Sequence, residues 1–257
     1  MATTPESNDP ISSPRNRRVG EAAALHRARR RRESGRSLLE GPKLVAEALA
    51  AGATVDRLFA TPGDAVLAER ARAAGAEVLV VTDEVIRRLA STDTPQSPVA
   101  VLEVPDAELP AGGDLVVAWG VRDPGNAGTL IRTAAAFGWG FVAGPETVDV
   151  WSPKVLRSAA GGHFHIPVVR VEDLGELDEW NVVATVPDGG DPPQALHRIE
   201  RRAVLVGEEA AGLPAEVVAA ATHRVTIPMP GGTESLNAAV AGAIIVYEAA
   251  VGGGSPA

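Results

Sequence analysis

Three short stretches in the second half of the chain set polar residues among glycines and prolines, each close behind an apolar run. The first is Asp123-Pro124-Gly125-Asn126-Ala127-Gly128, with Arg132 further along the same segment. Its glycines allow close backbone approach, Asn126 is placed to cap a helix, and a guanidinium one or two helical turns on suits phosphate or ribose. The second is Leu205-Val206-Gly207-Glu208-Glu209-Ala210-Ala211-Gly212-Leu213-Pro214, a strand end, a glycine turn and two acids. The third is Ile227-Pro228-Met229-Pro230-Gly231-Gly232-Thr233-Glu234-Ser235-Leu236-Asn237, which runs into an Ala-rich stretch as far as Ala250. Prolines and glycines fix that loop. The helix after it carries no charge before Glu248, so burial on most sides is expected, with Ser235 and Asn237 in its first turn and a Ser or Thr as its N-cap. Backbone N–H groups at such a helix start are donors for a ligand.

Other chemistries lack their residues. There is no dinucleotide fingerprint, phosphate loop or nucleophile elbow, and no His pair at metal spacing. His163 and His165 bracket Phe164, which reads as a strand surface or as satisfied histidines, so no metal is expected. The absence of cysteine excludes a disulfide scaffold, Cys-ligated zinc and thiol catalysis.

The elements that must position these residues form two series. Residues 1–16 are rich in Ser, Pro, Asn and Thr and are expected to be a disordered tail. Val19 to Arg32 reads as one helix ended by Gly35. Helices at Leu44–Ala51, Ala65–Ala74 and Asp83–Leu89 then alternate with strands at Val55–Ala60, Glu77–Val81 and Val99–Val104. This is a small α/β/α domain, residues 17–106. Pro105 to Gly113 breaks the periodicity as a linker. A second α/β domain, residues 113–252, has apolar strands at Leu115–Trp119, Gly140–Ala143, Val168–Val171, Val182–Thr185, Ala203–Val206 and Arg224–Ile227. Helices are expected at Ala127–Phe137 and Pro153–Ala160. Strands so apolar imply a mainly parallel sheet covered on both faces. The three polar loops follow its strands, where such sheets bind ligands.

Charge is uneven. Of a net −9, residues 1–36 hold nine arginines against four acids, a balance of +5, which leaves −14 on the rest. A basic arm on an acidic body suits one segment meeting phosphate, with affinity that falls with salt and on removal of residues 1–36. With 257 residues, 45% of them hydrophobic, and no run long enough for a bilayer, the chain is expected to be a cytoplasmic globular protein outside the membrane.

Taken together and in this order, the three loops resemble the SpoU or TrmH-like branch of the SPOUT class of RNA ribose 2′-O-methyltransferases. The resemblance extends through Ser152-Pro153-Lys154-Val155-Leu156-Arg157-Ser158-Ala159-Ala160-Gly161. The first domain, through its Arg-rich helix and Leu39-Glu40-Gly41-Pro42-Lys43-Leu44-Val45, is similar to the family's L30e-like substrate-binding module. The resemblance implies a deep trefoil knot in the second domain and S-adenosylmethionine as cofactor, held by Gly207, Ile227, Leu236, Val206, Met229 and Ala238. It implies a catalytic set of Arg132, Asn126, Glu209, Ser235 and Asn237, and a homodimer through the C-terminal domain. Within that set Asn126 and Asn237 are expected to fix the ribose and Arg132, Glu209 to orient the loop groups, and Arg132 to stabilise the alkoxide and hold a phosphate. RNA contacts fall to Arg29, Arg30, Arg31, Arg32, Arg36 and Arg157. The implied substrate is ribosomal RNA, 23S RNA among the choices, for housekeeping or antibiotic resistance. Transfer RNA is the enzymatic alternative, and an RNA-binding protein without catalysis the non-enzymatic one.

Overall fold

The computed structural model describes residues 9–232 and 235–251. The chain divides into two compact units, Met1–Pro105 with Trp151–Pro153 and Asp106–Val150 with Lys154–Ala257.

The first unit runs α1 (Arg17–Ala24), α2 (Ala28–Ser34), β1 (Arg36–Glu40), α3 (Pro42–Ala50), β2 (Val55–Ala60), α4 (Ala65–Ala73), β3 (Glu77–Val80), α5 (Asp83–Leu89) and β4 (Val99–Glu103). Its sheet has the order β1-β4-β2-β3, with β4 antiparallel to both neighbours and β2 parallel to β3. Val19, Ala22, Ala23 and Leu25 of the basic segment are buried with Leu38, Phe59, Val85 and Leu89, so the segment is part of the core. Strand β1 carries no alternation to announce it, because Ser37, Leu38 and Leu39 are all buried.

The single helix expected over Val19–Arg32 is two helices. Arg31 is the reason: only 6% exposed, it donates through Nη1 to Leu25 O at 2.7 Å and His26 O at 3.0 Å, satisfying carbonyls in the break between α1 and α2. The disordered tail is also corrected over its second half. Ile11 N donates to Val80 O at 2.8 Å, Thr82 N donates to Ile11 O at 3.2 Å, and Asn16 Oδ1 accepts from Arg18 N at the start of α1. Residues 1–8 of that tail lie outside the described residues.

The second unit runs β5 (Leu115–Ala118), α6 (Pro124–Ala136), β6 (Gly140–Ala143), α7 (Pro153–Ser158), β7 (Val168–Arg170), β8 (Asn181–Thr185), β9 (Arg202–Val206), α8 (Ala215–Ala220), β10 (His223–Val225) and α9 (Ala238–Val251). The six strands have the order β10-β8-β9-β5-β6-β7, and every neighbouring pair is parallel. Leu115 and Val117 pack with Leu177, Trp180 and Val217 on one face, while α6 and α9 pack against β5 and β9. Burial on both faces explains strands without polar alternation. Chain order reverses between β5 and β9, the position at which open parallel sheets form a crevice.

Four local expectations are corrected. The last strand is His223–Val225 rather than Arg224–Ile227. Residues Gly162–Phe164 form a 3-10 turn rather than a strand, and His163 is buried there with Nε2 donating to Val150 O at 2.8 Å. Asp123, not Asn126, caps α6, its Oδ1 accepting from Asn126 N at 2.8 Å. Helix α9 starts after Asn237, whose Oδ1 caps it by accepting from Ala239 N at 3.0 Å and Val240 N at 3.2 Å.

Helix α9 is not buried on most sides. Gly242 lets it lie close to its neighbours, since a Cβ there would sit 2.5 Å from Leu130 Cδ2 and 3.1 Å from Val206 Cγ2. Yet Val240, Ile244, Tyr247 and Val251 on one stripe are 36% to 52% exposed. No helix among the described residues is long and apolar enough to cross a membrane.

Candidate active site

The site begins with two helix caps. Asp123 takes the exposed amide at the start of α6, which leaves the Asn126 side chain to point elsewhere. Capping of α9 turns the Asn237 carbonyl oxygen toward the helix amides, so its NH2 must face away. There Asn237 Nδ2 donates to Asn126 Oδ1 at 2.9 Å and to Glu209 Oε2 at 3.0 Å, and Asn126 Nδ2 donates to Glu209 Oε2 at 3.2 Å. The carboxylate, an acceptor only, thus holds both amides. Three loops distant in sequence meet at this triangle, which lies at the β5–β9 reversal.

Next to it is a pocket of about 650 Å3, mouth included, at the carboxyl ends of β8, β9 and β10. Val206, Gly207, Ile227, Met229, Leu236 and Ala238 all line it, with Glu209 and Ser235. Thr185 at the end of β8 and Val186 and Pro187 after it complete the wall, and were absent from the expected set. Their signal was the rule that ligands sit at carboxyl ends, applied to a strand whose following loop has no polar motif. Gly207 is required by the protein itself: a Cβ would come within 2.3 Å of Gly212 C, because Glu208 and Gly212 exchange backbone hydrogen bonds at 3.2 and 2.8 Å. Aliphatic walls suit an adenine ring and the methylenes of a methionine chain, and the carboxylates of Glu208 and Glu209 suit a cationic sulfonium or ammonium. The residues therefore fit S-adenosylmethionine.

Arg132 stands apart. It is exposed on α6 and makes no hydrogen bond or ion pair with a described residue. Ser235 lies at the pocket wall and is exposed. Thr233 and Glu234 of the third motif lie outside the described residues. No group of three or more His, Asp or Glu able to hold a metal occurs among the described residues. Burial pushes the His163 imidazole down to about 4, against the smaller upward pull of its bond to Val150, so it is neutral at pH 7.

The expected RNA-contacting arginines divide. Arg29 and Arg30 both pair with Glu33, at 2.6 and 3.1 Å, and Arg36 lies 3.4 Å from Asp56 and 3.7 Å from Glu103. Arg31 is buried and leaves the set as a structural group. Arg32 is exposed on α2 without an ion pair among the described residues, and Arg157 is exposed in the last turn of α7. Three further cations lie outside that named set. Arg27, in the break between α1 and α2, and Arg87 and Arg88, in the last turn of α5, are exposed and unpaired among the described residues. They belong to one surface: α1 packs on α5, and His26 bonds to the Leu89 backbone. Burial lowers the His26 pKa, and Arg88 and Arg31 lower it further.

Residues 114–247 match the profile of the SpoU rRNA Methylase family, and residues 16–100 that of the MRM3-like substrate binding domain. The chain is 35% identical to the 23S rRNA (guanosine(2553)-2′-O)-methyltransferase RlmP of Bacillus subtilis (strain 168), across 92% of this chain and 97% of that protein. Among solved structures, the AdoMet-bound rRNA methyltransferase from Sinorhizobium meliloti superposes with a TM-score of 0.83 and 34% identity, covering 94% of this chain and 97% of that one. The SpoU methyltransferase AviRb from Streptomyces viridochromogenes, in complex with AdoMet, gives 0.80 and 30% over 92% and 97%. A methylase match over more than half of the sequence, on loops that the fold gathers at one pocket, leaves one conclusion: this chain belongs to the SpoU rRNA methylase family.

Proposed function

We propose that the protein transfers a methyl group from S-adenosylmethionine to the 2′-hydroxyl of a ribose in ribosomal RNA. The observation that carries this is the hydrogen-bonded triangle of Asn126, Glu209 and Asn237 beside an aliphatic pocket. When bound, S-adenosylmethionine supplies an electrophilic methyl group. Val206, Ile227, Met229 and Leu236 hold the cofactor and exclude water, with Gly207 and Ala238 giving close approach. Glu209 orients the two amides, and Asn126 and Asn237 position the ribose, with Ser235 at the pocket wall beside it. Alignment of the attacking oxygen is the main demand of an in-line displacement. Arg132, without a hydrogen bond or ion pair to a described residue, holds the phosphate next to the ribose and stabilises the oxygen as its proton passes to that phosphate. A guanidinium stays protonated at neutral pH and is a poor base there.

The first unit, with the basic surface of Arg27, Arg87 and Arg88 together with Arg32, selects the RNA, and Arg29, Arg30, Arg36 and Arg157 are secondary contacts. The match of that unit to a substrate-binding domain of rRNA-modifying relatives favours ribosomal over transfer RNA. The exposed stripe Val240, Ile244, Tyr247 and Val251 of α9 provides the homodimer surface. The deep knot and a cytoplasmic location belong to the same reading.

Incubation with ribosomal RNA and methyl-labelled S-adenosylmethionine, followed by alkaline hydrolysis, tests it. Label should sit in an alkali-resistant dinucleotide, because 2′-O-methylation removes the attacking hydroxyl. Absence of label from every ribosomal RNA offered, or label on a base, overturns the proposal.

A further inference from the structure

The turn from Glu208 to Gly212 has two sides. One faces the cofactor pocket; the other faces a second hollow, and Glu208 and Gly212 line both. The second hollow is formed by Trp119 and Arg122 after β5, Pro145 and Glu146 after β6, and Glu216 and Val217 of α8. Its floor is built closely. The Trp119 indole lies against Gly144, where a Cβ would come within 2.6 Å of Trp119 Cε3.

Glu146 has φ +58, a left-handed conformation that a glutamate adopts at a cost. That backbone presents its carboxylate to Arg122, and the two form an ion pair. Both side chains are largely exposed, at 62% and 68%, so the pair adds little stability to repay the strain. The hydrogen bond that Arg122 donates to Glu146, with Glu208 nearby, holds the Arg122 guanidinium above its ordinary pKa. The result is one fixed donor fork among carboxylate acceptors at the edge of a hollow that the methyl-transfer residues do not use.

We propose that this hollow takes a guanine base of the RNA substrate, read by Glu146 and Arg122. The Watson–Crick edge of guanine sets an acceptor, O6, beside two donors, N1–H and N2–H2. A carboxylate accepts from both donors while a guanidinium donates to O6. Uracil turns two carbonyls toward the same edge and meets the acids unfavourably; adenine and cytosine lack two adjacent donors. Recognition of an unpaired base by such edge contacts is the usual means of reading RNA sequence. Glu208 adjoins Glu209, which holds both amides of the methyl-transfer site, so the base and the methylated ribose belong to one RNA segment. The inference rests on the RNA methyltransferase reading above.

The test uses the full chain and the four nucleoside 5′-monophosphates as probes, with binding followed by equilibrium dialysis. GMP should bind at least about fivefold more tightly than AMP, CMP or UMP. Glu146→Gln and Arg122→Gln should each abolish that preference while S-adenosylmethionine affinity changes less than about twofold, which also reports that the variants fold. In methylation of ribosomal RNA both variants should raise KM by about tenfold and leave kcat nearly unchanged. Equal affinity for the four nucleotides, or a GMP preference that survives both substitutions, overturns the proposal. A wild-type protein that prefers GMP in this way yet methylates no RNA upholds the base site and sinks the methyltransferase reading instead.

Discussion

Asn237 donates to Glu209 Oε2 at 3.0 Å with the same amide whose oxygen caps α9 at Ala239 N and Val240 N. One side chain thus serves both the helix and the site, and two substitutions separate the roles. Asn237→Asp keeps the capping oxygen, and a carboxylate suits a helix N-terminus, so unfolding free energy should change by less than about 1 kcal/mol. The donor is lost, however, and a second carboxylate faces Glu209. Methyl transfer should fall by roughly 100-fold. Asn237→Ala should show the same loss of turnover together with about 1 kcal/mol of destabilisation in urea titration. An aspartate variant with ordinary turnover would remove Asn237 from the site.

Arg132 offers the opposite case, a group without a hydrogen-bond or ion-pair partner among the described residues. Arg132→Ala should cut turnover by about 100-fold or more while S-adenosylmethionine binding by calorimetry stays within about twofold. Arg132→Lys keeps the charge without the fork and should fall between. Retention of most activity by the alanine variant would refute the assigned role.

What the sequence discloses here is governed by range. Val206, Gly207, Ile227, Met229, Leu236 and Ala238 are all found on one pocket because each lies in a short motif behind an apolar strand. Thr185 to Pro187 escape notice because their part is assigned only when the sheet sets β8 beside β9. The caps of α6 and α9 go to Asp123 and Asn237 because each motif contains several residues with capping chemistry and tertiary geometry chooses among them. Arg31 reads as a surface cation in an arginine run, and only the broken helix shows that its guanidinium turns inward. Arg87 and Arg88 are ordinary helix-end cations until α1 packs on α5 and brings Arg27 to the same surface.

Two glycines on the β9 side differ in what they touch. At Gly207 an added methyl meets Gly212 C at 2.3 Å and Leu213 N at 2.5 Å, backbone that no rotamer change relieves. Gly207→Ala should destabilise the protein by about 1–3 kcal/mol and abolish measurable cofactor binding as the turn opens. At Gly242 the nearest atom is the tip of Leu130 at 2.5 Å, which can rotate. Gly242→Ala should therefore be the milder change, a helix-favouring residue offsetting part of the crowding. Thermal melts with and without S-adenosylmethionine check both; an order reversed between the two would contradict the packing argument.

His163 makes stability depend on pH in a defined window. Its folded pKa of about 4 lies below the unfolded value of 6.5, so between these limits the unfolded chain binds more protons. The contribution is complete above pH 6.5 and is lost as pH falls toward 4, by up to about 3 kcal/mol. His163→Gln retains a donor for Val150 O and does not titrate. Urea denaturation at pH 7 and pH 5 should show a smaller acid-induced loss for the variant than for the wild type; equal losses would mean that other groups set the dependence.

RNA binding by the first unit is best probed by point substitutions, because deletion of residues 1–36 removes Val19, Ala22, Ala23 and Leu25 from the core and should unfold the unit. Arg29 and Arg30 are already compensated by Glu33, whereas Arg87 and Arg88 have no such partner among the described residues. Each phosphate contact releases counterions, so affinity for ribosomal RNA should fall steeply with salt in the wild type. Arg87→Ala with Arg88→Ala should weaken binding at low salt by about tenfold or more and reduce the slope of log affinity against log salt by roughly 1.5. Arg29→Ala with Arg30→Ala should change the slope less, since the same substitutions release Glu33. Filter binding across a salt series measures both, and a larger slope change for the Arg29 and Arg30 pair would move the RNA surface back to α2.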